Sequence, residues 1–189
     1  DALAAHASTR ERLPILEAFY QEIFNRTGPV TSVLDIGCGL NPLAIPWMAL
    51  RPAAHYLALD IDLELVAFLD TALSVFDVRG QARVSDVVAE TPPEVCDLAL
   101  LLKTVPCLEQ QRAGVGRALL AGLNARWVVV TYPTRSLGGH SKGMARTYRE
   151  SFARLAAGTP WRWEAFELPG ELGFVVNKHA GIETRAGLE

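Results

Sequence analysis

Long uninterrupted apolar runs are missing from this chain of 189 residues. None reaches the roughly 18–20 residues that a membrane-spanning helix needs, so no membrane partner is expected. Cysteine is scarce, with only Cys38, Cys96 and Cys107 present. An odd number without metal-ligand spacing excludes a disulfide framework and gives no metal site, and a reduced, cytoplasmic protein is the simplest expectation. An excess of positive charge is also missing, because 18 Lys and Arg stand against 21 Asp and Glu for a net charge of −3. A nucleic-acid partner would therefore have to be met by a local basic patch rather than by the whole molecule. Residues 1–12 are mixed and charged, which is not the pattern of a secretory signal. Internal repeats, low-complexity tracts and an interdomain linker are absent too, and the length suits one α/β domain with a sizeable core.

What is present is an alternation of short β-branched runs with longer helical stretches, the mark of a parallel sheet flanked by helices. Residues 10–26 repeat apolar side chains at helical spacing. Strands are expected at 31–36, 55–59 (ending at Asp60), 82–85, 97–102, 127–131, 161–168 and 173–177, seven in all. The run after Asp97 is continuously apolar, as a central parallel strand should be. Helices are expected over 42–50, where Pro46 should kink the backbone, and over 62–78, 109–123 and about 144–157. Pro169-Gly170-Glu171 marks a turn between the last two strands.

The first strand runs straight into Asp35-Ile36-Gly37-Cys38-Gly39. Glycines there let the backbone approach a ligand and take positive φ. A dinucleotide fingerprint would require a third glycine near position 42, which is Pro42, so a pyrophosphate-binding helix start is disfavoured. Asp60 ends the next strand, where a carboxylate can accept from both hydroxyls of a ribose. Asp86 follows the third strand, at the place of an adenine amino group. Strand, glycine turn, helix, strand and terminal Asp in this order point to a nucleoside with an amino-acid tail, as in S-adenosylmethionine.

A second segment carries the local charge. Arg135, Lys142, Arg146, Arg149 and Arg154 face only Glu150 between residues 135 and 154. Arginines there can bind phosphates bidentately, and Tyr132 is placed to stack on a base. Arg10 and Arg12 would add to this patch if the first helix packs nearby. After the fourth strand, Lys103-Thr104-Val105-Pro106-Cys107 lacks the Asn/Asp-Pro-Pro-aromatic signature of amino-methylating DNA enzymes. Cys107 has no partner acid for nucleophilic attack on a cytosine.

With these segments the sequence resembles the bacterial 16S rRNA (guanine-N7) methyltransferases that confer aminoglycoside resistance. The resemblance is carried by residues 6–13 (HASTRERL), 34–42 (LDIGCGLNP), 103–111 (KTVPCLEQQ), 133–139 (PTRSLGG) and 142–144 (KGM). The Leu40-Asn41-Pro42 extension and the 134–139 loop are its most distinctive parts.

The resemblance implies a Rossmann-like S-adenosylmethionine-dependent methyltransferase of the α/β class, with a mostly parallel seven-stranded sheet and helices on both faces. Residues 31–189 would form this domain, and residues 1–30 an N-terminal helical segment, the remnant of a longer docking region. It implies methyl transfer to guanine N7 in the decoding site of the 30S subunit by a monomer, with S-adenosylhomocysteine as product. Arg12 would contact the cofactor carboxylate, Gly37 and Gly39 its tail, Asp60 the ribose and Asp86 the adenine, with Ile61, Val87 and Gln111 also binding the cofactor. Lys103, Glu109, Arg135, Ser136, Lys142 and Arg146 would face the RNA target. His140 stands where the family loop commonly has Arg, which removes a fixed charge near neutral pH. Guanine N7 has a free in-plane lone pair, so no acid–base residue is assigned and alignment is expected to carry catalysis. A target flipped from its stack is expected. A small-molecule methyltransferase of the same fold and a non-catalytic ribosome- or cofactor-binding homologue are the alternatives.

Overall fold

The computed structural model describes residues 11–134 and 143–179. Seven strands form one sheet in the order β3-β2-β1-β4-β5-β7-β6: β1 (Val30–Ile36), β2 (Leu50–Asp60), β3 (Val78–Val84), β4 (Val95–Leu102), β5 (Asn124–Pro133), β6 (Arg162–Leu168) and β7 (Glu171–Asn177). The strands β1 to β5 pair in parallel, while β7 runs antiparallel to both β5 and β6. The seven expected strands are all present, most of them longer than their apolar cores indicated. Central β4 is buried from Leu98 to Leu102, in keeping with its continuous apolar run.

Helices cover both faces. One face is packed by α1 (Leu16–Thr27) through Leu16, Phe19, Tyr20 and Ile23, and by α2 (Leu63–Leu73) through Val66, Leu69 and Leu73. The other is packed by α3 (Thr104–Gln111), α4 (Val115–Gly122) and α5 (Met144–Ala156), which bring Val105, Leu108, Leu119, Leu120 and Phe152 onto the sheet. Because α1 buries its apolar stripe in the same core as β1 and β2, residues 16–27 are part of the domain's packing.

The differences from the expected elements have local causes. The first helix is interrupted by a 3-10 turn at Leu13–Ile15, where Pro14 lies at its start. Residues 41–47 form a 3-10 helix rather than an α-helix to residue 50, with Pro42 in its first turn and Pro46 inside, and Leu50 already belongs to β2. The expected helix 62–78 ends at Leu73, with the side chain of Asp62 capping its start by accepting from Glu64 and Leu65 N–H. The expected helix 109–123 is two helices, because Gly114 takes φ +80° and breaks the run between α3 and α4. No helix among the described residues is long and apolar enough to cross a membrane.

Candidate active site

At the carboxyl end of β1 the chain turns through Gly37 and Gly39, both at positive φ (+59° and +50°). A Cβ on Gly37 would lie 2.7 Å from Thr104 Cγ2, so only glycine fits beside the start of α3. The turn is pinned to the end of β2: Cys38 N–H donates to the Leu59 carbonyl at 3.0 Å, and Gly39 N–H to Asp60 Oδ2 at 2.9 Å. The other oxygen of Asp60 accepts from the N–H groups of Ile61 and Asp62. Asp86 Oδ1 likewise accepts from Val88 and Ala89 N–H, which fixes its turn after β3. Each carboxylate is thus held by backbone donors that lie close in sequence or across one strand pairing.

These turns surround one cleft, lined by Gly37, Asp60, Ile61, Ser85, Asp86, Val87, Val88, Thr104, Leu108 and Gln111. Of the eight cofactor residues expected from the sequence, the cleft brings together Gly37, Asp60, Ile61, Asp86, Val87 and Gln111. Sequence reasoning missed Thr104, whose hydroxyl donates to the Ile36 carbonyl at 3.1 Å and closes the floor beside Gly37. Its place directly after the apolar β4 run was the available signal. A Cβ-free cradle, two carboxylates on consecutive strand ends and an apolar rim at Ile61 and Val87 fit a nucleoside cofactor. No His/Cys/Asp/Glu cluster able to hold a metal occurs among the described residues.

Beside the cleft, on the α1 face, lies a buried polar cluster. Arg12 donates through Nε and Nη2 to both oxygens of Glu171, at 3.0 and 2.8 Å, with the two side chains 3% and 1% exposed. Its Nη1 donates to Asn41 Oδ1 at 3.3 Å, which also accepts from Tyr20 Oη at 2.7 Å. Asn41 Nδ2 and Tyr56 Oη in turn donate to Asp35 Oδ2, at 2.9 and 2.7 Å. Burial opposes the Arg12 charge, but Glu171 more than compensates and raises its pKa. Burial pushes the Asp35 carboxyl up to about 7, against the hydrogen bonds from Asn41 and Tyr56. Asp35 Oδ1 is buried without a hydrogen-bond partner among the described residues. Lys103, at φ +60°, closes the cluster with Nζ 2.8 Å from Glu11 and 3.8 Å from Glu171. Arg12 is therefore neutralised inside the fold and does not extend the basic surface, contrary to expectation. Glu171, legible in the sequence only as part of a turn, is its counter-charge.

The target-facing residues are distributed differently. Both carboxylate oxygens of Glu109 accept backbone N–H bonds, from Gly114 at 2.8 Å and Gly116 at 2.7 Å, so Glu109 caps α4. Tyr132 is 3% exposed and stacked on Tyr148 at 4.7 Å, which replaces the expected stacking of Tyr132 on a base. Arg146 is 84% exposed with its Nε 3.8 Å from Glu150, and Arg149 pairs with Glu167. Arg135, Ser136, His140 and Lys142 lie outside the described residues, as does Arg10.

A five-strand parallel sheet with an antiparallel β7 inserted before β6, a glycine turn after β1 and carboxylates after β2 and β3 defines the S-adenosylmethionine-dependent methyltransferase fold. Within that class, the chain matches the ribosomal RNA methyltransferase (FmrO) family over residues 1–175 and belongs to it. It is 45% identical over 177 residues to a 16S rRNA (guanine(1405)-N(7))-methyltransferase of Micromonospora echinospora, covering 94% of this chain and 65% of that protein. A protein of the same description from Frankia casuarinae is 44% identical, with 94% and 63% covered. The chain therefore spans somewhat less than two thirds of the length of these curated relatives. The crystal structure of the 16S rRNA methyltransferase RmtF in complex with S-adenosyl-L-homocysteine superimposes with a TM-score of 0.82 at 36% identity, covering 93% of this chain and 66% of RmtF. The 16S rRNA methylase RmtB gives 0.79 at 31% identity, with 94% and 67% covered.

Proposed function

We propose that this chain uses S-adenosylmethionine to methylate guanine N7 in the decoding site of 16S rRNA, within the 30S subunit, and thereby confers aminoglycoside resistance. The observation that carries the reading is the single cleft that gathers Gly37, Asp60, Asp86, Thr104 and Gln111 in a chain of the FmrO family. When bound, S-adenosylmethionine supplies an electrophilic sulfonium methyl group, and guanine N7 offers a lone pair that needs no deprotonation. The residues of the chain therefore have to hold and align rather than exchange protons.

Asp60 would accept the ribose hydroxyls, Asp86 with Val87 and Gln111 would hold the adenine, and Gly37 and Gly39 would admit the tail against bare backbone. Arg12, fixed by Glu171, would meet the cofactor carboxylate. Lys103, at the same strand edge, and Arg135, Ser136, Lys142 and Arg146 would meet the RNA. The described lining of the cleft comes from one chain, which supports action as a monomer, and a ribosomal substrate supports action in the cytoplasm.

Labelled methyl transfer to purified 30S subunits, followed by N7 strand-cleavage chemistry and primer extension, tests the reading. One stop in the decoding site is the expected result. Transfer to a small metabolite without transfer to 30S would overturn it.

A further inference from the structure

The cofactor cleft uses only one flank of α3. Thr104, Leu108 and Gln111 face the cleft, whereas Val105, Pro106 and Glu109 line a separate groove of about 420 Å³ between α3, α4 and α5. The far wall of that groove is built by Tyr148, Ser151 and Arg154 of α5 and by Arg117 of α4. Helix α3 is thus a shared partition, with its amino end at the carboxyl edge of the sheet on both sides.

The chemistry of the groove is specific. Tyr148 is half-buried, rests one ring on Tyr132 at 4.7 Å, and stands at the groove wall. Arg117 is immobilised by donating to the Leu155 and Ala157 carbonyls at 2.8 and 3.0 Å, the open end of α5, and keeps its charge at the exposed rim. Arg154 is exposed and has no side-chain partner among the described residues. The one acid, Glu109, has both oxygens occupied by the Gly114 and Gly116 N–H groups. An aromatic wall, one fixed and one free cation, a hydroxyl and a satisfied carboxylate match a single-stranded nucleic acid, whose bases stack and whose phosphates pair with arginine.

We propose that this groove holds the single-stranded RNA segment next to the methylated nucleotide, with a base on Tyr148 and a phosphate on Arg154. The inference rests on the RNA-methylating reading and adds to it the path of the strand. An α-helix is about 10 Å across, so a strand that presents its target on one flank of α3 reaches the groove within a few nucleotides. The target then enters from the α3–α5 side, and the two flanks of one helix separate cofactor from substrate.

The test uses the full chain and a fluorescein-labelled single-stranded RNA of about 12 nucleotides, a length within the span such grooves cover. Arg154→Glu is expected to weaken binding roughly tenfold, and Arg154→Ala to flatten the slope of log K against log salt by about 0.7. Tyr148→Leu is expected to weaken binding about tenfold and Tyr148→Phe to restore it. Cofactor affinity, measured by calorimetry, stays at the wild-type level in all four. Arg79→Glu, on the exposed edge strand β3, is the control and leaves RNA binding unchanged.

The proposal is overturned if the groove variants bind RNA like wild type, if Arg79→Glu weakens binding equally, or if a polyglutamate peptide competes as well as RNA. Loss of cofactor affinity alongside RNA affinity also overturns it, because that marks a packing defect. Failure of the broader reading is distinguishable. A wild type that binds RNA through Arg154 and Tyr148 but transfers no methyl to 30S subunits removes the proposed reaction and keeps the groove.

Discussion

Two neighbouring regions at the carboxyl edge of the sheet hold carboxylates in opposite ways. In the cleft, Asp60 and Asp86 are at least partly open to solvent and are positioned by backbone N–H groups of their own or adjoining turns. In the cluster beside it, Glu171 and Asp35 are 1% and 0% exposed and are positioned by the side chains of Arg12, Asn41 and Tyr56. The first arrangement fixes acceptor geometry while leaving the carboxylates available to a ligand. The second satisfies a charge that has been taken out of water, where removal of one partner is far more costly than the pair is stabilising. The carboxylates of the cleft thus remain available to a ligand, whereas those of the cluster are engaged within the fold.

The largest expected effect breaks the cluster. Glu171→Leu leaves the Arg12 guanidinium buried without its counter-charge, and stability in a urea titration should fall by about 3–5 kcal/mol. Arg12→Met combined with Glu171→Leu should recover most of that loss, since both charges are then gone. A double variant as unstable as the single one would show that the ion pair is not what holds the region. Next, Asp60→Ala should weaken S-adenosylmethionine binding by roughly 1.5–3 kcal/mol in calorimetry, the range for hydrogen bonds to a charged group. Its melting transition should move much less than that of Glu171→Leu.

Gly37→Ala should cost about 1–2 kcal/mol through the left-handed backbone alone, and more if Thr104 cannot yield. Its cofactor affinity should fall with its stability, which distinguishes it from Asp60→Ala. A separate effect, spread over a pH range, is expected at Asp35. Its folded pKa of about 7 lies above the usual unfolded value near 3.9, so the folded state binds the extra proton between those limits. The contribution of Asp35 to stability is therefore present below about pH 4 and declines as pH rises toward 7. The stability of Asp35→Asn relative to wild type should grow over that window, by at most about 1.4 kcal/mol per pH unit, and level off above it. A difference that is flat with pH would place the proton elsewhere.

The same contrast explains what was legible in the sequence. The cleft depends on short-range signals: a strand into Gly37-Cys38-Gly39, an Asp at the end of β2 and another after β3. Backbone capping of this kind leaves a pattern that survives in linear order, and six of the eight expected cofactor residues line the cleft. Arg12 was also singled out, but its partner lies 159 residues away, and no local pattern announces such a pair. Glu109 illustrates the converse. Its place in a distinctive segment suggested a contact with the target, and the structure gives its carboxylate to the start of α4. The strand count and the layering were clear because burial imposes periodicity. Helix limits were less so, since Pro14, Pro42, Pro46 and Gly114 decide them one residue at a time.

Glu171 begins the last strand of the sheet, and that strand lies between β5 and β6 rather than at the edge. During synthesis the glycine turn, Asp60 and Asp86 are all made before residue 90, yet Arg12 has no counter-charge until residue 171 has been added. A partly made chain thus carries the whole nucleoside cleft beside an unneutralised arginine and an open sheet, a non-local arrangement that folds slowly. Completion of the site is thereby timed to the final hairpin, and any truncation before residue 171 leaves that arginine without its acid.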